Sequence, residues 1–400
     1  DPEARRADQL VALRHQIAHA KANTEFFGAL LADVAPEDIG DLDALAALPV
    51  TRKPDIVEVQ EAAPPFGGLA ARDTGPIAQI FMSPGPVYEP GGGAEDYGRF
   101  ARCLWAAGMR PGDIVHNTFA YHLTPAGAMV ENSAHAIGCT VFPGGVGNTE
   151  IQLQAIGRIR PRGYVGTPSF LRILVEKGDE MAIDTSSIQV GVVGAEALTP
   201  AVRELLSARG IEVSNSYGTA DVGLIAFESS AREGMIVDEG IYFELVEPGG
   251  TRPVGEGEVG EVVVTTFNSL YPLIRYGTGD LSQFLPGPSP CGRTNLRIKG
   301  WLGRADQSAK FKGMFVHPSN VGDIARRHPE ITKARLVLEN PDSVDRMTLQ
   351  VAVGQESEEL RGAIELSIQS VLKLRGAVAF VPADELADDG RVVDDARKLD

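Results

Sequence analysis

Between about residue 77 and residue 270, short β-branched runs take turns with amphipathic helical segments. "DIVHNTF", "TVFPGG", "GYVGTP", "IQVGVVGAE" and "IEVSNSYGT" are strand-like. "AEDYGRFARCLWAAG", "IQLQAIGRI", "SFLRILVEKG" and "PAVRELLSARG" carry apolar residues at helical spacing. Such alternation leaves little choice of fold. Each strand must pair in parallel with the next across a helical crossover, and ligands then collect at the carboxyl ends of the strands.

The flanks differ. Residues 7 to 33 read as helical, through Leu10, Leu13, Ile17 and Ala20. After 240, "GIYFELVEP", "GEVGEVVVTTFN" and "PLIRYGTGDLSQFL" alternate with period two, as in an antiparallel or barrel-like subdomain over about 240–300. From about 305 a compact tail combines "RLVLENP", "RMTLQVAVG", a helix over "SEELRGAIELSIQSVLK" and "AVAFVP". The expected fold class is therefore α/β: a large N-terminal domain of parallel α/β sheets with a small β-barrel-like subdomain, then a small α+β C-terminal domain. The expected division is 1–304 and 305–400. Four hundred residues suit two or three domains.

Composition excludes some partners. With 37 basic against 54 acidic residues and a net charge of −17, no basic stripe is available for nucleic acid or an anionic membrane. No apolar run reaches the length of a spanning helix. Three scattered cysteines, Cys103, Cys139 and Cys291, suggest no disulfide framework. The opening "DPEARRADQL" does not read as a secretory leader, so cytoplasm is the expected compartment.

Several polar turns fall where strands end: "VGAEALTP" (193–200), "SNSYGTADVG" (214–223), "IRYGTGD" (274–280) and "GRADQSAKFKG" (303–313). The stretch "FMSPGPVYEP" (81–90) also follows a strand-like run and precedes three glycines. A Gly-rich turn in that place often cradles phosphate on converging backbone N–H groups. This one carries three prolines, which donate no N–H, and the acidic Glu89. Each turn alone is an ordinary loop, and their order along the chain gives them weight.

That order resembles the adenylate-forming enzymes, and among them the phenylacetate–CoA ligase-like branch. "LPVTRKPDI" resembles that branch's L-P-x-T-x-K-x-D-L, and "AAGMRPGDIVHNTFAYHLT" its A-G-x-x-x-G-D-x-x-x-N-x-Y-G-Y-G-L. "GGVGNTEIQL" is similar to G-G-N-T-x-x-Q-L, and "GTPSFLRIL" to T-P-S-Y. "YGTAD" matches Y-G-x-(S/T)-(E/D), "RYGTGDL" resembles R-Y-R-T-x-D-L, and "GRAD" followed by "VHP" matches G-R-x-D followed by V-x-P. The likeness runs from near residue 8 to the end. It implies an acid–thiol ligase of aryl or arylacetic type that forms an acyl-AMP from a carboxylate and ATP and passes the acyl group to CoA.

The resemblance also implies roles for residues. Tyr217 stacks on adenine, or is alternatively a capped core aromatic, while Gly218 and Thr219 line the α-phosphate. Gly194, Ala195 and Glu196 run along the nucleotide edge. Asp221, where the family usually has Glu, holds Mg²⁺. Asp280 takes the ribose hydroxyls, Arg304 supports the ribose, and Asp306 is the hinge of a mobile C-terminal domain. Tyr121 and His122 face the acyl group, with Asp221 and His122 the candidate catalytic residues; His122 is a base or, alternatively, a hydrogen-bonded pocket wall. The expected partners are a small carboxylic acid or its CoA ester; a homodimer is compatible, since dimers are common in the family.

Three departures fall on the phosphate side. The family's S-(S/T)-G-T-T-G-x-P loop, in register with residues 83–90, keeps Ser83, Gly85 and the final Pro but loses both Thr hydroxyls, the second Gly and the Lys. Glu89 then sets a negative charge where the β- and γ-phosphates would lie. The C-terminal P-R-(S/T)-x-G-K is replaced by "ADDG", and Gly277 stands for the Arg of Y-R-T. ATP and Mg²⁺ use are thereby put in question. A second function stays open: a degenerate homologue that no longer adenylates and binds or transforms a preformed acyl-CoA or nucleotide. "PSPCGRTN" holds one cysteine where relatives often show C-x-C-G-R-T-H, so no zinc is expected.

Overall fold

The computed structural model describes residues 1–41, 44–72, 77–83, 87–311, 314–341, 346–387 and 389–397. The chain divides into two compact units: residues 1–278 with 283–300, and residues 279–282 with 301–400.

The large unit is built on the expected parallel sheet. Strands Thr140–Pro143, Ile114–Asn117, Gly163–Gly166, Val190–Val193 and Glu212–Thr219 lie side by side in that order, all parallel. Gly163–Gly166 and Val190–Val193 are buried at every position. That is why they read as continuous apolar runs rather than alternating ones. The helices between them are set by their first turns. Thr167 and Thr199 each accept a hydrogen bond at their side chain, from the N–H of Phe170 and Val202, and each is followed by proline at the first helical position. A capping Thr is worth about 1 kcal/mol, and proline there sacrifices an N–H that has no partner anyway.

The sheet then turns antiparallel through Gly223–Glu228 and Met235–Val237, and reaches Arg297–Ile298 and Tyr276–Leu285. Ile241–Val246 and Val259–Thr266 pair antiparallel beyond these. The period-two segments after 240 are thus strands, as expected, and continue the same hydrogen-bonded path.

Two helical expectations differ. The segment 7–33 breaks at Thr24 into helices Pro2–Asn23 and Glu25–Leu30, because the Thr24 hydroxyl accepts from Phe27 N–H and donates to the Ala20 carbonyl. Of the segment 94–108, only Ala101–Ala106 is α-helical. Asp96 and Arg99 adopt φ of 52° and 62°. Arg99 reaches away to Asp238 at 2.9 Å and to the carbonyls of Val222 and Leu224. That buried ion pair overrides the helical propensity.

The small unit is a four-stranded sheet in the order Ala377–Phe380, Arg346–Val353, Ile331–Glu339, Val393–Asp395, with helices Pro318–Arg327 and Glu358–Leu372. Its own core includes Phe311, Ile324, Leu336, Leu349, Val351, Ile364 and Ile368. Among the described residues, no helix is long and apolar enough to cross a membrane.

Candidate active site

Because the five strands are parallel, their carboxyl ends share one edge of the large unit, and most of the sequence-predicted residues gather there. Gly194 follows Val193, which pairs with Asn215. A Cβ at Gly194 would meet Ser216 Oγ at 2.7 Å and the Ser216 carbonyl at 2.9 Å, so only glycine lets these two strand ends approach. Ala195 is exposed at φ 65°. Glu196 Oε1 accepts a 2.6 Å hydrogen bond from Ser169 N–H in the first turn of the helix Pro168–Glu180. Tyr217 is buried, 7% exposed, within the core cluster that holds Val222 and Ile225. Gly218 is pressed against Gly223, whose carbonyl lies 2.5 Å from where a Cβ would stand. Thr219 Oγ1 accepts from Val222 N–H at 3.2 Å and closes the turn that carries Asp221.

Tyr121 sits in the segment after Ile114–Asn117. Its hydroxyl accepts from Asn117 Nδ2 at 2.8 Å and donates to Glu131 Oε2 at 2.6 Å. Burial and the Glu131 carboxylate raise its pKa well above the usual phenol value, against a smaller opposite pull from Asn117. His122 is exposed. The buried histidine of this region is His116, hydrogen-bonded to Gln152 at 2.7 Å and stacked on Phe142. Burial lowers its pKa and keeps it neutral near pH 7. Gln152 Nε2 also donates to the carbonyls of Gly145 and Gly147 and so shapes the "GGVGN" loop. These partners explain why that loop precedes a Gln at fixed spacing.

Either side of residues 84–86, Gln79–Ser83 pairs antiparallel with Val87–Gly91. Gly85 lies outside the described residues. Gln60 pins the hairpin from the helix Lys53–Ala62: its Nε2 donates to the Tyr88 carbonyl and its Oε1 accepts from Tyr88 N–H, both at 2.8 Å. On the other side Met82 N–H donates to the Leu123 carbonyl at 2.8 Å.

The polar side chains of the hairpin turn inward. Ser83 and Glu89 are 2% and 3% exposed. Ser83 Oγ donates to Glu89 Oε1 at 2.6 Å and receives Lys53 Nζ at 3.1 Å. Lys53 Nζ is also 3.9 Å from Asp221 Oδ2. Desolvation, reinforced by the Asp221 charge, pushes the Glu89 pKa up to about 9. Its carboxyl is therefore neutral at pH 7. The expected negative charge in the phosphate path is replaced by a buried acid, because the period-two alternation of the strand puts residue 89 on the same inner face as Val87 and opposite the half-exposed Tyr88. Glu89 Oε2 and Asp221 Oδ1 are both buried, and the proton Glu89 retains is placed to donate to Asp221. Tyr271 and Tyr276 stand close by, and burial together with the Asp221 charge keeps both phenols protonated.

Gly277 has a local explanation. It pairs with Arg52, and a Cβ there would meet Glu261 Oε1 at 2.8 Å and the Arg52 stem at 3.1 Å. Arg52 and Glu261, bound at 2.9 Å, fill the space over this strand.

In the small unit Asp280 pairs in register with Arg304. Arg304 Nη1 donates to Asp280 Oδ1 at 3.2 Å, and Trp301 Nε1 donates to the same oxygen at 3.0 Å. Arg304 Nε reaches Asp306 at 3.3 Å in a short 3₁₀ turn. The sequence-predicted set thus falls in two groups, one in each unit. Around Cys291, burial raises the thiol pKa but hydrogen bonds from Ser229 and Ser289 outweigh it and bring it to about 6.

Lys53, Gln60, Asn117, Glu131, Tyr271 and Tyr276 were not singled out from sequence. Lys53, Asn117 and Tyr276 do fall inside family-like motifs, and that position was their only signal.

A parallel sheet with glycine-bearing turns at its carboxyl edge is a frame that holds nucleotides in many α/β enzymes, and here the model of the AMP-binding enzyme family matches residues 99–269. Phenylacetate-coenzyme A ligase of Thermus thermophilus is 32% identical over 371 residues, covering 88% of this chain and 82% of that protein. The ligase of the same name from Aromatoleum evansii is 30% identical with the same coverage. An open conformation of 2-hydroxyisobutyryl-CoA ligase in complex with 2-HIB-AMP and CoA superposes with a TM-score of 0.85 over 96% of this chain and 90% of that one, at 24% identity, and shows the shared fold. The chain belongs to the phenylacetate–CoA ligase family.

Proposed function

We propose that this chain joins an aryl or arylacetic acid to CoA through an acyl-adenylate. The observation that carries the reading is the gathering of Gly194–Glu196, Tyr217–Asp221 and the Ser83–Glu89 hairpin at one strand edge, in a chain of this family. In the first half-reaction the substrate carboxylate attacks the α-phosphorus of ATP and pyrophosphate leaves. In the second the CoA thiolate attacks the acyl carbonyl and AMP leaves. A carboxylate is a poor electrophile and AMP is a good leaving group, so the protein's task is alignment and stabilisation of charge on phosphorus.

In this reading Tyr217 stacks on adenine, and Gly218 and Thr219 line the α-phosphate. Gly194, Ala195 and Glu196 follow the nucleotide edge, and Tyr121 and the neighbouring His122 border the acid. Asp280 and Arg304 of the small unit take the ribose, with Asp306 as hinge between the half-reactions. Magnesium is the ion implied at Asp221, and the residues there fit it poorly. Glu89 is neutral, and the Lys53 ammonium already faces the Asp221 carboxylate at 3.9 Å. A magnesium ion takes an octahedron of oxygens, several of them waters, and at Asp221 it would compete with an ammonium already facing the same carboxylate. No step is therefore routed through the metal.

The test is ATP–pyrophosphate exchange with a panel of benzoic and arylacetic acids. Exchange with at least one acid is expected. No exchange with any acid, together with binding of an aryl-CoA ester, rejects the ligase and leaves the degenerate homologue.

A further inference from the structure

Lys53 has a position and a set of partners that the family roles leave unused. It opens the helix Lys53–Ala62, and its backbone is fixed from two sides. Thr51 and Arg52 pair with Tyr276 and Gly277, and Arg52 N–H donates to Asp55 at 2.7 Å. The side chain, 28% exposed, brings its ammonium 3.1 Å from Ser83 Oγ and 3.9 Å from Asp221 Oδ2. An ammonium has three donors. One goes to Ser83, a second faces Asp221, and among the described residues none takes the third. Asp221 stands two residues beyond Thr219, in the turn assigned above to the α-phosphate.

Two prolines lie between Ser83 and Val87, and proline has no N–H. Glu89 and Ser83 satisfy each other inside the fold. Among the described residues, the cation beside Ser83 and Asp221 is Lys53, carried on a helix rather than on the hairpin.

We infer that Lys53 is the phosphate-binding cation of this site, its ammonium taking a phosphoryl oxygen of the adenine nucleotide with Asp221 as its counter-ion, where a divalent ion would otherwise be held. The inference rests on the adenylate-forming reading of the turn 217–221, and it names the group that substitutes for the phosphate loop.

The experiment is calorimetric titration of the whole chain with AMP and, separately, with adenosine, in chelator and in excess Mg²⁺. Lys53→Met is expected to weaken AMP by about 10- to 100-fold, the loss of one charge-assisted hydrogen bond. Adenosine, which has no phosphate, should bind the variant as it binds the wild type, and this also reports that the variant is folded. Lys53→Arg, which keeps the charge, should recover most of the AMP affinity. Mg²⁺ should leave the AMP affinity of the wild type unchanged. AMP binding that is equal in Lys53→Met and wild type overturns the inference. So does a Mg²⁺-dependent gain in AMP affinity that Asp221→Asn abolishes. A wild type that binds neither adenosine nor AMP overturns the adenylate-forming reading itself, and the inference with it.

Discussion

Replacing Glu89 by Gln should change how stability depends on pH. The carboxyl is 3% exposed, accepts from Ser83, and titrates at about 9 instead of its ordinary 4.5. The sign follows from proton counting. Between pH 4.5 and 9 the unfolded chain has released this proton and the folded chain has not, so unfolding releases a proton and stability falls as pH rises. Below 4.5 both states are protonated and the effect vanishes. Each pH unit is worth about 1.4 kcal/mol at most, so at pH 7 the wild type is disfavoured by up to about 3 kcal/mol relative to a group that cannot ionise. The amide introduced by Glu89→Gln is such a group. It has the size of the protonated acid, can accept from Ser83 and can donate to Asp221. Wild type and Glu89→Gln should therefore melt at similar temperatures near pH 5 and separate steadily toward pH 9, with the variant the more stable. Thermal melts followed by circular dichroism at half-unit pH steps measure this. Parallel curves from pH 5 to 9 would refute the argument, and would mean that Glu89 is ionised in the folded protein.

Other outcomes are expected elsewhere. Arg275 is fully buried, pairs with Glu244, and donates to the carbonyls of Ala46, Leu48 and Thr251, so Arg275→Met should cost about 3–5 kcal/mol in urea unfolding followed at the large unit. Arg275→Met combined with Glu244→Gln should cost less than the sum of the two single changes, because no charge is then left unpaired. Gln60→Ala removes both bonds to Tyr88, and amide exchange at Tyr88 should quicken about 10-fold or more. Gly194→Ala puts a methyl 2.7 Å from Ser216 Oγ, and pyrophosphate exchange should fall while the small unit's melting stays unchanged.

The strands 163–166 and 190–193 were legible because both are buried at every position and are written entirely in Val, Gly and Tyr. The helix expected over 94–108 was not, since it depends on Arg99 finding Asp238, far along the chain, and no local pattern announces that partner. The site divides in the same manner. Gly194 and Gly218 stand at strand ends where close approach demands glycine, and such positions can be read locally. The electrostatics could not be read. Glu89 looked like a charge facing the nucleotide because its sequence neighbours are Pro and Gly, which suggest an open loop. Its state is decided by burial and by the Asp221 charge, against the opposing pull of Ser83 and Lys53, and none of this is visible in the residues beside it in sequence. The alternation of Val87, Tyr88 and Glu89 was the available hint.

The hydrogen bond from Met82 to the Leu123 carbonyl has a bearing on substrate range. It makes the hairpin that ends in Ser83 and the segment that carries Tyr121 one mechanical piece. An acid bulky enough to push residues 121–123 outward would drag on Ser83, and through it on Lys53. Variants selected to accept larger acids should accordingly lose grip on the nucleotide even where none of the altered side chains touches it.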